Sequence, residues 1–179
     1  EMPEKIPVDT TAQGGITFCP NTVYIKLDSK QSEPALYIMH VIHEYFHALS
    51  CSTKGRILPS MWEEGFTDYF ATKVFTNYTG FDTDVFTAFP YEVRLVRHLS
   101  NLIPEDILLS IYINKDEARL KQKVDEKLGL GTYDQIIQDM NKVFYDSSYT
   151  KGFVSNSDID SSFSRVENLF EIKNYLKMQ

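Results

Sequence analysis

Apolar residues recur three or four positions apart along most of the chain, which is the spacing of amphipathic helices. The first predicted helix follows Ser32, a suitable N-cap, has Pro34 in its first turn and ends near Ser50. Further helices are predicted over residues 60–75, 90–102, 105–113, 115–128, 132–145 and 161–178. Thr132 and Ser161 are suitable caps. Residues 146–162 are rich in Ser and Asp, which predicts a mobile loop.

The stretch before the first helix has a different pattern. Residues 16–18 and 23–27 are β-branched and aromatic and are bounded by turn residues, which predicts two short strands, the second at a sheet edge. We therefore expect an α+β fold with a small N-terminal β-sheet and a mostly helical C-terminal lobe. Residues 1–179 should form a single domain, with the sheet and the first two helices in 1–75 and the helical lobe in 76–179.

Composition narrows the range of partners. The chain is 42% hydrophobic and 24% charged, enough for one substantial core. Its net charge of -7 and pI near 5.1, with no run of basic residues along the chain, argue against nucleic acid as a partner. Apolar runs fall well short of the roughly 20 residues that cross a bilayer, so no membrane-spanning segment is expected.

The segment His43-Glu44-Tyr45-Phe46-His47 carries candidate metal chemistry. Residues four apart on a helix point within about 40° of each other, so both imidazoles can reach one ion. Glu44 is offset by about 100° and would lie beside the ion, where it can take a proton from a zinc-bound water. A catalytic zinc needs a third protein ligand and one open position.

Glu64 on the next predicted helix supplies that third ligand. Asp68, four residues later on the same face, can accept the remaining N–H of His43 or His47 and fix its tautomer. For Glu63 we expect a solvated carboxylate at a helix start. For His40 we expect a hydrogen-bonded core or cleft histidine and not a fourth ligand.

His43-Glu44-x-x-His47 followed by Glu64-Gly65-Phe66-Thr67-Asp68 resembles the gluzincin metallopeptidases of the thermolysin-like and aminopeptidase-like branches. The resemblance implies that His43, His47 and Glu64 bind Zn²⁺ and that Glu44 is the general base. It implies a zincin-like fold, with the two metal-binding helices in residues 1–75 and the active cleft between them and the helical lobe. It also implies that residues 14–27 correspond to the edge strand that holds an extended peptide. Those residues contain no G-x-M-E-N-like segment, so endopeptidase activity is favoured over aminopeptidase activity.

Such an enzyme also needs a donor to the oxyanion of the tetrahedral intermediate. Tyr91, at the start of the third predicted helix, is the preferred candidate, and His98 and Tyr112 are the alternatives.

Two other functional classes compete with the peptidase hypothesis. The first is a non-catalytic module that retains zinc and binds a peptide or protein; the presence of Glu44 argues against it. The second is a structural zinc site, which normally has four protein ligands, usually including cysteine. Pairing of Cys19 with Cys51 stays open, and a buried free thiol is the commoner fate of a sparse cysteine. The start at Glu1 suggests a trimmed chain or a processed product, and gluzincin domains of this size are often secreted or attached to the cell surface.

Overall fold

The computed structural model describes residues 15–18, 22–25, 34–51, 58–81, 89–148 and 156–177. Two strands, β1 (Gly15–Phe18) and β2 (Thr22–Ile25), pair antiparallel, with Gly15 opposite Ile25. Within the described ranges the helices are α1 (Pro34–Leu49), α2 (Ser60–Thr79), α3 (Pro90–Ser100), α4 (Glu105–Asn114), α5 (Glu117–Leu128), α6 (Thr132–Ser148) and α7 (Asn156–Lys177). None of them is both long and apolar enough to cross a membrane.

The predicted α+β class is wrong, because the described part of the chain is all-α. The two strands hold four residues each and form one hairpin, which is too small to make a layer of the fold. The strand pattern was a correct local signal, but the described core is built from helices. Whether the chain divides at residue 75 stays a prediction; the main core cluster runs from Leu58 to Phe170 and includes residues on both sides of that point.

Prolines precede the helices α2 and α4, and residues in the left-handed backbone conformation end them. Pro59 and Pro104 immediately precede α2 and α4, where a missing N–H leaves no hydrogen bond unmade. Gly80 ends α2 with φ of 73°, a conformation that glycine adopts without strain. Lys115 ends α4 with φ of 51°. The sequence predicted that the next helix begins at Lys115, and that boundary is wrong. The Asp116 side chain caps α5 instead.

The predicted mobile loop over residues 146–162 is largely replaced by helix. α6 continues to Ser148 and α7 already begins at Asn156. Ser161 therefore lies inside α7 and does not cap it, and only residues 149–155 of that loop lie outside the described residues.

Helix α2 lies at the centre of the core, because α1, α3, α4 and α6 all pack against it. Trp62 and Phe66 are fully buried, and Phe70 is buried beside them. The Trp62 ring stacks on Phe66 at 5.9 Å and on Tyr133 of α6 at 6.1 Å. A helix buried on most of its circumference is held in place by its neighbours, so side chains on α2 are well fixed.

Gly65 is the point of closest approach between α2 and α3. A Cβ on Gly65 would lie 3.0 Å from both the Cβ and the backbone oxygen of Glu92. Because one of these atoms belongs to the backbone of α3, the clash could be relieved only by moving the helices apart.

We predict that Gly65→Ala destabilises the protein by about 1–3 kcal/mol, because overpacking forces a backbone shift. At an open helix position the same change would stabilise by about 0.5–1 kcal/mol, so the sign of the effect is diagnostic. Urea unfolding monitored by circular dichroism measures it, with the exposed Ser164→Ala in α7 as control. A variant as stable as wild type would show that α2 and α3 are not in rigid contact here.

Candidate metal centre

Two helices bring three candidate ligands together. On α1, His43 and His47 direct their Nε2 atoms toward the same point, 3.0 Å apart. On α2, the Oε2 atom of Glu64 lies 3.4 Å from the Nε2 of His43 and 3.3 Å from that of His47. This group could hold a metal ion.

The spacing of these atoms fits a tetrahedral zinc. Metal–ligand bonds of 2.0–2.1 Å place the ligand atoms of a tetrahedron about 3.3 Å apart. Two imidazoles and one carboxylate form a donor set found in catalytic zinc sites, and three protein ligands leave the fourth position open. The side chains of His43, His47 and Glu64 are 12%, 17% and 24% exposed, so the group is largely desolvated yet accessible.

Asp68 contacts Nδ1 of His43, the ring nitrogen that faces away from the other candidate ligands. Its Oδ1 lies 2.5 Å from the Nδ1 of His43, and the residue is only 4% exposed. The sequence left open which histidine Asp68 would contact, and the structure pairs it with His43. Phe89, just before α3, stacks on the same imidazole at 6.3 Å between ring centroids. With Nδ1 as the donor to Asp68, Nε2 keeps the lone pair that binds a metal.

Glu63 supports His47 in the same way, so the expectation of a solvated carboxylate is wrong. Its Oε1 lies 3.1 Å from the Nδ1 of His47, and its side chain is 20% exposed. Glu63 also forms an ion pair with Lys115. The Thr67 hydroxyl, 3.4 Å from the same Nδ1, donates to the backbone oxygen of Glu63 at 2.7 Å. The roles of Glu63, Thr67 and Lys115 carried no sequence signal, since only their packing brings them to His47.

The carboxylates set the charge of the site. Burial disfavours the imidazolium of His43, but hydrogen bonds to Asp68 and Glu64 outweigh it and raise the pKa to about 10. For His47, burial is likewise outweighed by Glu63 and Glu64, which raise the pKa to about 9. Burial would raise the pKa of Glu64, but its hydrogen bonds to the two histidines lower it to about 2. The metal-free site therefore favours protonated imidazole beside ionised carboxylate.

Glu44 and His40 lie on the same helix as the histidine ligands. Glu44 is only 8% exposed, and His40 is half-buried. Burial and the charge of His43 lower the pKa of His40, while Asp68 and Glu44 act in the opposite direction. His40 is not among the three residues that the described part of the chain offers to a metal.

The three candidate oxyanion donors have other hydrogen-bond partners. Tyr91 donates to Oδ1 of Asp160 at 2.8 Å. His98 lies 3.2 Å from Glu167 and stacks on Phe170. These contacts tie both residues to α7, and an oxyanion role for either stays a prediction.

The third candidate, Tyr112, lies behind His47. Its hydroxyl is 2.7 Å from that of Thr67, which in turn lies 3.4 Å from Nδ1 of His47 and so on the side of the imidazole away from Nε2. This position suits support of His47 better than contact with a substrate carbonyl.

Glu92 is an acidic neighbour that the sequence did not point to. It lies at the start of α3, is 4% exposed, and contacts α2 at Gly65, next to Glu64 in the chain. Burial, followed by the negative charges of Asp68 and Glu64, raises the pKa of Glu92 to about 7. Glu92 follows Phe-Pro-Tyr at the start of a helix, and nothing in that sequence marks it as a functional residue. Its position next to the site follows only from the packing of α2 against α3.

No protein-family model, curated protein or solved structure matches this chain. The function of the chain is therefore inferred from the site itself and from its motif.

Cys51 follows Ser50, just beyond the end of α1 at Leu49, and is disulfide-bonded. It is therefore not the free thiol that is the commoner fate of a sparse cysteine. The chain has one other cysteine, Cys19, which lies outside the described residues.

We predict that zinc binding releases protons at neutral pH and strengthens as the pH rises. Zinc takes the neutral imidazole, whereas the pKa values of His43 and His47 are raised to about 10 and about 9, so the metal must displace protons below these values. Affinity should rise by up to about tenfold per pH unit for each proton displaced. The metal-free protein should show the opposite trend: raised histidine pKa values stabilise it below about pH 6.5, and this stabilisation is lost toward pH 9–10.

Calorimetric titration in two buffers with different ionisation enthalpies counts the protons released at pH 7. His98→Gln, which changes a histidine paired elsewhere, is the control and should leave the count unchanged. Zinc binding without proton release would show that both imidazoles are already neutral.

Proposed function

We propose that this chain is a zinc-dependent peptidase that hydrolyses peptide bonds, with endopeptidase favoured over aminopeptidase activity. The observation that carries the proposal is the convergence of His43 Nε2, His47 Nε2 and Glu64 Oε2 at mutual distances of 3.0–3.4 Å. Three protein ligands are the number that a catalytic zinc uses, while structural sites use four.

Three acidic residues near the candidate ligands have roles in this proposal. Bound zinc would supply Lewis-acid activation of water and polarisation of the scissile carbonyl. Glu44 takes the proton from the attacking water and passes it to the leaving amine. Asp68 and Glu63 accept the Nδ1–H groups of His43 and His47 and so keep both Nε2 atoms directed at the metal.

The motif supports membership of the gluzincin group. Its order, His43-Glu44-x-x-His47 and then Glu64 and Asp68 on a second helix, joins the ligands, the base and a supporting aspartate in one pattern. The preference for internal bonds rests on the absence of a G-x-M-E-N-like segment from residues 14–27. A peptide or protein is the substrate class that this chemistry serves.

We also propose that the protein is secreted or attached to the cell surface. The disulfide at Cys51 supports this location, because disulfides persist in oxidising compartments and are rare in the cytosol.

We predict that Glu44→Gln retains zinc but loses at least about 10²-fold in cleavage rate, since it removes only the proton acceptor. Glu64→Gln should lose both zinc and activity, because it removes a ligand. Glu126→Gln, an exposed carboxylate on α5, is the matched control and should behave as wild type. The assay uses internally quenched peptides blocked at both ends, together with unblocked aminoacyl substrates, and zinc content is measured on the same samples.

The outcomes separate the functional classes. Cleavage of blocked peptides by the wild type supports an endopeptidase, and cleavage of unblocked substrates alone supports an aminopeptidase. Zinc retention by the wild type and Glu44→Gln with cleavage by neither would overturn the peptidase proposal and favour the non-catalytic binding module.

A further inference from the structure

Lys115 combines two features that ordinarily destabilise a protein. It is 7% exposed, which removes an ammonium group from water. Its φ of 51° is the only positive φ of a non-glycine residue in the described part of the chain, and Cβ crowding disfavours that conformation. Glycine or asparagine would end α4 with less strain. Strain of this kind persists only where the surrounding structure imposes it, and it clusters at functional sites.

The Lys115 side chain reaches from the α4–α5 corner to the back of the metal centre. Its Nζ donates to both carboxylate oxygens of Glu63 and to the Ser50 hydroxyl, the latter at 2.7 Å. The same Nζ lies 4.4 Å from the centre of the Tyr112 ring. Glu63 in turn accepts from Nδ1 of His47. A continuous chain of contacts thus joins Lys115 to a candidate ligand.

We propose that Lys115 is a positioning residue of the metal site: it holds Glu63 against His47 and leaves Glu64 as the carboxylate available to the metal. This inference rests on the proposed metal site.

Two adjacent glutamates enter the site, and a metal attracts both. The ion pair with Lys115 offsets the negative charge of Glu63 and fixes its carboxylate on the Nδ1 side of His47. The Oε2 of Glu64 faces the Nε2 atoms on the opposite side of the imidazole. Lys115 therefore gives two chemically identical side chains different roles. It also orients the imidazole through Glu63, because the direction of Nδ1 fixes the direction of Nε2.

A purely structural role for Lys115 gives different expectations. If Lys115 only ended α4, Lys115→Gly would relieve the backbone strain and leave zinc affinity unchanged. If Lys115 positions Glu63, both Lys115→Gly and Lys115→Met should weaken zinc binding by roughly tenfold, the low end of the effect of removing such supporting groups. Lys121→Met is the matched control, because Lys121 also pairs with a carboxylate and lies 5.4 Å from a tyrosine ring, that of Tyr133.

The experiment measures zinc affinity of the folded proteins by competition with a chelator, and the visible absorption spectrum of the Co²⁺-substituted forms. We expect the Co²⁺ bands of Lys115→Met to shift, because the geometry at His47 changes, and those of Lys121→Met to match wild type. Unchanged affinity and spectra in both Lys115 variants would overturn the inference while leaving the metal site intact. A wild type that binds neither Zn²⁺ nor Co²⁺ would overturn the proposed function and the inference together.

The double variant Glu63→Gln with Lys115→Met tests the same route if Lys115→Met alone does not fold. It leaves no unpaired charge at either position. If Lys115 acts through Glu63, the double variant should bind zinc as tightly as Glu63→Gln alone. A further loss in the double variant would overturn the proposed route, even if Lys115→Met alone fails to fold.

Discussion

Helix α1 can pack against α2 only in a register in which the polar side chains buried between the two helices form hydrogen bonds with each other. Asp68 is almost fully buried and meets Nδ1 of His43, and Glu63 meets Nδ1 of His47. A slide of one helix along the other would leave these groups without partners, and buried polar groups without partners are costly. The same register brings Glu64 to both Nε2 atoms. The hydrogen bonds at the two Nδ1 atoms therefore also fix the arrangement of the three candidate ligand atoms.

Helix α2 connects the metal centre to the hydrophobic core. Glu63, Glu64 and Asp68 face α1, while Trp62 and Phe66 pack within the core. Ligands on a helix that is surrounded by other helices lose little further conformational freedom when a metal binds. A change that displaces α2 should therefore affect both stability and the geometry of the candidate ligands.

Charge around the centre is arranged in layers. Glu64 and the two imidazoles form the inner layer, and Asp68 and Glu63 lie behind the imidazoles. Lys115 offsets Glu63 at the outer edge, while Glu92 lies in a buried, negatively charged environment that raises its pKa to about 7. Both reach the site from the starts or ends of helices that pack on α2, which lets distant parts of the chain adjust the charge near the ligands.

The sequence by itself determined relations within single helices: the spacing of His43 and His47, the four-residue step from Glu64 to Asp68, and approximate helix spans. A fixed helical period makes such relations local. Only the tertiary structure decided the all-α class, the contact of Glu63 with His47 and the burial of Lys115. These depend on which helices pack together and in what register. That choice is made by core contacts between residues far apart in the chain, which no local pattern encodes.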